Sequence, residues 1–293
     1  MKQLTRDFSL NNFKMGENQN SPPKIHQTSL VQSKQYLEED LIRHVALNSI
    51  RANSKKFRNE YGEVILCCDS RTYWRKEVFP HYKAHRKEAR EKSPLDWNLI
   101  FKVLNKLKED LKEHFPYKVI EVNGAEADDI IGTLAPRLSA HEKVLIISSD
   151  KDFVQLQKYP NVKQYNPMLG VYVTSKDPVR DLKEKIIRGD KGDGIPSISN
   201  EDTVFVSGLR QKPISSKKLQ EWLEQDPRIC FNEEVYRNYQ RNDLLINFEN
   251  IPNPLRSTIV EQYESSSPSS KQKLYKYLVS NKLITLLEVI DEF

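Results

Sequence analysis

From Glu38 onward the chain alternates between two hydrophobic periods. Leu41, Ile42, Val45, Ala46 and Ile50 recur at helical spacing, and the unbroken apolar run in "EVILCCD" then reads as a buried strand. The cycle repeats twice. Helical "WNLIFKVLNKLKEDLKEHF" leads to a strand in "YKVIEV", and helical "AEADDIIGTLAPRL" leads to a strand in "KVLIISSD". Strands alternating with helices predict an α/β fold, a central mostly parallel sheet flanked by helices. After about Val173 the strand runs stop. The turn-rich helical text that follows predicts a smaller C-terminal helical domain, with a Ser-rich loop "ESSSPSSKQK" before a final helix through "KLYKYLVSNKLITLLEVI". Residues 1–35 carry Asn, Pro and Ser clusters and little periodicity, which predicts a polar arm with at most a divergent first strand. The expected organisation is an arm over 1–35, a first domain over 36–178 and a helical domain over 179–293.

Composition narrows the class. The 293 residues are long enough for one large domain and a smaller one, and 30% charged against 38% apolar residues suits a soluble protein. No apolar run approaches the length of a membrane span, and no basic segment followed by an apolar one suggests a secretory signal, so a cytoplasmic monomer with no membrane contact is expected. Cys67 and Cys68 sit inside an apolar run and Cys230 is alone, a pattern of reduced core residues and not of a disulfide framework or zinc site. Walker loops and dinucleotide fingerprints are absent.

The net charge of +5 is modest, but its distribution is not even. Between Arg71 and Lys92 there are eight Lys/Arg against three Glu, whereas the conspicuous acids lie elsewhere. Asp69 ends one strand, Asp150 and Asp152 end another, and Glu126, Asp128 and Asp129 open a helix after a third, so all fall where functional groups of parallel sheets gather. Residues two apart on a strand share a face, so Asp150 and Asp152 can aim at one point. Two such anions repel unless a cation lies between them. Lone Asp residues at strand ends are more often caps or turn formers, but several sets at one sheet edge favour Mg²⁺, which is typically held by a few carboxylates plus phosphate oxygens. Glu126 and Asp129 also suit a helix N-terminus. "GDKGDG", with Asp190 and Asp193, could form plain Asp-Gly turns or join the metal site. Its Lys191, Gly192 and Gly194 suit backbone contact with a phosphate chain.

The basic stretch is "YWRKEVFPHYKAHRKEAREK". A helix starting near Pro80 would place Lys83, Arg86, Lys87 and Arg90 at i, i+3, i+4 and i+7, on one face. A solvated charged helix is the bland explanation. The interleaved Tyr73, Trp74, Phe79, His81 and Tyr82 favour nucleic acid, since aromatic rings stack on unpaired bases while Lys and Arg hold the backbone.

In order and spacing, "CCDSRTYWRKEVFPHYKAHR", "AEADDIIG", "SSDKDFVQL" and "RGDKGDGIPS" resemble the 5′-nuclease superfamily of flap endonucleases and 5′-3′ exonuclease domains, with its PIN-like fold. The resemblance runs from about Glu38 to Ser199. "LIRHVALNSI" and "YKYLVSNKL" extend it almost to the C-terminus, toward the branch represented by the ribonucleases H of T-even bacteriophages. It implies two Mg²⁺ ions, with Mn²⁺ as a substitute: Asp69, Asp128 and Asp150 at the first, Asp152 and Asp193 at the second, Glu126 and Asp190 in support. It also implies Lys83 and Arg86 at the scissile phosphate, beside Arg75 and Tyr82, and a helix-three-turn-helix element for duplex DNA beginning at "IIRGDKGDGIPS", whose loop carbonyls in many members hold K⁺.

Two departures stand out. The family's first strand ends in an Asp after a clear apolar run, and here only "LTRDFSL" matches, offering Asp7. The text "GIPSISNEDTVFVSGLRQK" lacks a Gly-rich second half, which puts the K⁺ site in doubt. The implied activity is 5′-to-3′ hydrolysis of RNA primers and DNA at 5′ ends and flaps during lagging-strand replication. DNA and RNA–DNA duplexes would be the substrates, with a sliding clamp and single-strand-binding protein as partners, in the host cytoplasm if the chain is phage-encoded. Two alternatives stand beside it: a non-catalytic fork-binding protein with an incomplete metal site, and a haloacid-dehalogenase-like phosphatase using the "DKD" aspartate.

Overall fold

The computed structural model describes residues 2–6 and 27–293, with side chains from Glu39 onward. Among the described residues six strands form one sheet in the order β3-β2-β1-β4-β5-β6. They are β1 (Lys2–Arg6), β2 (Glu63–Cys67), β3 (Lys118–Ile120), β4 (Val144–Ile147), β5 (Val162–Asn166) and β6 (Val171–Val173). All pair in parallel except the β5–β6 hairpin. The N-terminal stretch is therefore not wholly an arm. Residues 2–6 fill the centre of the sheet, with Leu4 in register with Ile65 of β2 and Ile146 of β4. A five-residue strand with four polar residues carries too weak a pattern to stand out, and pairing on both sides supplies what its sequence lacks. Asp7 lies outside the described residues.

The first five helices are α1 (Gln27–Tyr61), α2 (Arg75–Val78), α3 (His85–Glu91), α4 (Trp97–His114) and α5 (Ala127–Ser139). They are followed by α6 (Pro178–Arg188), α7 (Ser216–Glu224), α8 (Pro227–Cys230) and α9 (Glu233–Ile246). The last three are α10 (Asn253–Ser265), α11 (Lys271–Ser280) and α12 (Ile284–Leu287). Strand alternation divides the core. Val64, Leu66 and Cys68 face α1, α4 and α11, while Ile65 and Cys67 face α5 and α10. Each face is thus sealed in part by C-terminal helices. α6, α7, α8 and α9 build a small core around Ile187, Ile198, Leu219 and Trp222.

Two helices differ from expectation. None runs through Pro80–Ala84, because Lys83 adopts φ +56° and breaks the chain between α2 and α3. The final helix is split after Ser280, where Lys282 at φ +55° lets the Leu283 amide donate to the Leu278 carbonyl, a left-handed helix stop.

Candidate active site

Four elements bring acids to the carboxyl edge of the sheet. Asp69 follows β2 and accepts from the Ala127 amide at 2.7 Å, so it also clamps the start of α5 to the strand. Glu126 caps α5, and its own amide donates to Asp129 Oδ2 at 2.9 Å. Asp128 lies buried in the same first turn. Asp150 and Asp152 are not consecutive members of one strand face. β4 stops at Ile147, and Asp150 caps a 3₁₀ helix over Lys151–Lys158, accepting from the Asp152 amide at 3.0 Å. The strand cannot continue because Gln164 on β5, fully buried, donates to the Ser148 and Asp150 carbonyls. The fourth contribution is the loop after α6. Gly189 at φ +70° opens it, where a Cβ would meet the Ile195 carbonyl oxygen at 2.3 Å. Asp190 Oδ1 then accepts from the amides of Gly192 and Asp193 at 2.7 and 3.2 Å, so the turn role is real for Asp190.

A chain of alternating charges links α5 to this loop. The Arg75 guanidinium contacts Glu126 at 2.9 Å and Asp129 at 2.7 Å and donates to the Leu245 carbonyl at 2.8 Å. Tyr82 Oη lies 3.0 Å from Glu126 and 2.8 Å from Asp193, donating to either. Lys83 Nζ pairs with Glu126 and lies 3.6 Å from Asp193. Arg86 reaches Asp193 at 2.6 Å and donates to the Gly192 carbonyl at 3.1 Å. Burial pulls the Lys83 ammonium toward its neutral form, but Asp193, Glu126 and Asp128 outweigh it and hold the pKa above the usual lysine value. Burial and then the Asp193 and Glu126 charges push the Tyr82 phenol well up.

These contacts correct several expectations. Arg75 and Tyr82 do not face a nucleic-acid groove: both are buried and committed to carboxylates. Lys83 does not share an exposed face with Arg86, Lys87 and Arg90, because its left-handed backbone turns it inward, where its amide donates to the Asp193 carbonyl at 2.8 Å. Lys87 is exposed on α3, as is Lys191 in the loop. The Arg90 guanidinium lies over the rings of Trp97 and Phe101 at 5.8 and 5.0 Å. Gly194 at φ +73° sits against His85 and His81, where a Cβ would meet His85 Nδ1 at 3.0 Å.

The donor set suits a hard divalent cation, being carboxylate oxygen throughout. Among the described residues no three His, Cys, Asp or Glu side chains stand close enough to hold an ion by themselves. Four of the acids form two pairs, each sharing a protein cation. Lys185 Nζ contacts both Asp152 and Asp190, the latter at 2.9 Å, and Lys83 stands between Glu126 and Asp193. Asp152 is thus grouped with Asp190, while Asp193 is held by Lys83, Arg86 and Tyr82. Mg²⁺ needs only one or two carboxylates, the rest of its shell being water and phosphate, so such pairs fit it. In the loop where the family resemblance implies K⁺, the carbonyls of Pro196, Ile198 and Asn200 accept from Asn238, Arg241 and Asn242 of α9. Sequence reasoning passed over Lys185 and this α9 triad. The signal for the triad was a set of polar residues at i, i+3 and i+4 where a helix buries its inner face.

Comparison with known proteins gives the same picture. Residues 34–186 match the 5′-3′ exonuclease N-terminal resolvase-like domain, and residues 177–293 match the C-terminal domain of T4 RNase H. The chain is 36% identical over 271 residues to the ribonuclease H of Enterobacteria phage T4, covering 89% of each. It is 35% identical over 140 residues to the flap endonuclease Xni of Shewanella oneidensis, covering 43% of this chain and 48% of that one. Among solved structures, the bacteriophage T5 5′-exonuclease with bound zinc superposes with a TM-score of 0.56 at 16% identity, over 82% of this chain and 96% of that one. The T5 flap endonuclease in a complex with DNA and metal ions gives 0.54 at 17%, over 74% and 91%. Acids from four elements at one edge of a parallel sheet, on a chain matched from residue 34 to residue 293 by these two domains, make this protein a 5′-3′ nuclease of the 5′-3′ exonuclease family.

Proposed function

We propose that the chain hydrolyses phosphodiester bonds at 5′ ends and 5′ flaps of DNA and RNA–DNA duplexes, with two Mg²⁺ ions, and removes lagging-strand primers. The observation that carries this reading is the gathering of Asp69, Glu126, Asp128, Asp150, Asp152, Asp190 and Asp193 from four elements at one sheet edge. The family resemblance assigns Asp69, Asp128 and Asp150 to one ion and Asp152 and Asp193 to the other, with Glu126 and Asp190 in support; since no three of the described acids stand close enough to hold an ion by themselves, water and phosphate oxygens would complete each shell. A divalent cation bound there lowers the pKa of an attacking water and stabilises charge on the oxygens of an in-line displacement. Lys83 and Arg86 carry the protonated charges nearest Asp193 and would meet the negative charge that builds on the phosphate. Tyr82 and Arg75 keep Glu126 and Asp193 in place and so act as positioning residues. Residues 36–178 would carry the chemistry and 179–293 the duplex grip through α6, its following loop and α7. Lys87, Arg90 and Lys191 would hold the substrate backbone. A sliding clamp, a single-strand-binding protein and a host-cytoplasmic location follow from the family resemblance alone. Among the described residues no helix is long and apolar enough to cross a membrane.

The test is cleavage of a 5′-labelled flap and of a 5′-RNA primer on a DNA template, with Mg²⁺ or with EDTA. Short 5′ products are expected only with Mg²⁺. Asp150→Asn keeps an acceptor for the Asp152 amide, since Asn caps as well as Asp, and should preserve fold and DNA binding while cleavage falls by about 10²–10³ or more. Normal cleavage by this variant would remove Asp150 from the metal site.

A further inference from the structure

The loop between α6 and α7 is held from one side by a single helix. Asn238 and Asn242 of α9 are buried to 1% and 0% exposure, in positions where an amphipathic helix ordinarily presents apolar side chains. Each amide NH₂ has two hydrogens, and each pair is fully used. Asn238 Nδ2 donates to the Ile198 carbonyl at 3.0 Å and the Asn200 carbonyl at 3.2 Å. Asn242 Nδ2 donates to the Ile186 and Pro196 carbonyls, both at 2.8 Å. The Arg241 guanidinium reaches the Pro196 carbonyl at 3.1 Å and also pairs with Asp202. The neighbouring Ile195 and Ser197 carbonyls accept from the Asp190 and Asn200 amides at 2.8 and 3.0 Å.

A carbonyl oxygen has two lone pairs, and a cage for a monovalent cation needs several carbonyls turned toward one point with a lone pair to give. Pro196 spends both of its lone pairs on Asn242 and Arg241. Ile198 and Asn200 are turned toward Asn238. The guanidinium adds a fixed positive charge that cannot be exchanged, on a side chain 10% exposed, with Asp202 as its counter-ion. We propose that Arg241, with Asn238 and Asn242, takes in this chain the place of a loop-bound monovalent cation, so that its grip on duplex DNA does not depend on K⁺. The inference rests on the reading of the α6–α7 element as the duplex grip and assigns three positioning residues to it. Neutralising inward carbonyls with a covalently attached cation makes the loop shape a property of the folded chain and not of the salt around it.

The test uses the full chain in KCl and in LiCl at equal ionic strength. Anything that binds the native state raises its stability by mass action, so an occupied K⁺ site would separate the two thermal melts without any DNA present. Equal melting temperatures are expected. Binding to a labelled nicked duplex, followed by anisotropy with Ca²⁺ in place of Mg²⁺, should agree between the two salts within about twofold. A fivefold or greater tightening in K⁺, or a higher melting temperature in K⁺ alone, would overturn the proposal. Arg241→Met should weaken duplex binding by about tenfold with single-strand binding unchanged, and Arg241→Lys should recover part of the loss. Wild-type duplex affinity in the Met variant would also overturn it. If that variant fails to fold, the wild-type salt comparison still decides. Absence of duplex binding in every salt would instead refute the duplex-grip reading beneath it.

Discussion

Arg75 offers the sharpest contrast between a surface and an interior role. Its guanidinium is 3% exposed and holds Glu126 and Asp129, themselves 1% and 0% exposed, at 2.9 and 2.7 Å. Arg75→Met keeps the volume of the stem and removes the charge. Glu126 then retains Lys83 and Tyr82, while Asp129 keeps the Trp74 indole, 3.2 Å from its Oδ2, and the Glu126 amide. Removing one partner of a buried ion pair costs about 3–5 kcal/mol. The Leu245 carbonyl also loses a donor, worth about 1 kcal/mol. Since Lys83 still offsets Glu126, the total should be about 4 kcal/mol, a large share of the 5–15 kcal/mol by which a domain is typically stable, at about the lower end of the range. At about 2–4 °C per kcal/mol the melting temperature should fall by about 10 °C. Thermal unfolding by circular dichroism measures this. Duplex binding, measured well below the variant's melting point, should change little. A melting point within about 2 °C of wild type together with a large loss of DNA affinity would refute the interior role and return Arg75 to the nucleic-acid surface.

Lys185→Met leaves Asp152 and Asp190 facing each other without their shared ammonium, so in EDTA the variant should lose about 1 kcal/mol, the value of a partly exposed pair, and added Mg²⁺ should stabilise it more than wild type. Equal Mg²⁺ shifts in calorimetry would exclude Lys185 as the resident counter-ion. Alkaline pH should also destabilise the fold. Burial, with the Asp243 charge behind it, pushes the Tyr239 phenol up to about 12, and burial pushes Tyr117 higher still. A pKa raised in the folded state gives stability that is complete below the unfolded tyrosine value of about 10 and is lost as pH rises toward the folded value. The urea midpoint should therefore drop between about pH 9 and pH 12, and a flat profile would contradict the burial of these phenols.

The alternation of periods was enough to read an α/β sheet, its parallel sense and the arrival of acids at its carboxyl edge. These are local properties, because a buried strand must be apolar and a parallel connection needs a helix. Four motifs in order then carried the family. What escaped was decided by partners distant in sequence. β1 has little pattern of its own and becomes a central strand because β2 and β4 pair with both its edges. The helix expected from Pro80 is stopped at Lys83, whose amide donates to the carbonyl of Asp193, a residue more than a hundred positions away. That contact turns Lys83 inward with Tyr82, and it makes part of a basic stretch a set of buried counter-ions. Asp150 looked like half of a strand pair and is a cap, because Gln164 of the neighbouring strand takes the carbonyls that would have continued β4. Periodicity records which side chains must leave water, and the sequence determined that much by itself. Which charge meets which charge once they have left it is a long-range pairing, settled only when the sheet edge, α9 and the loop after α6 close on one another.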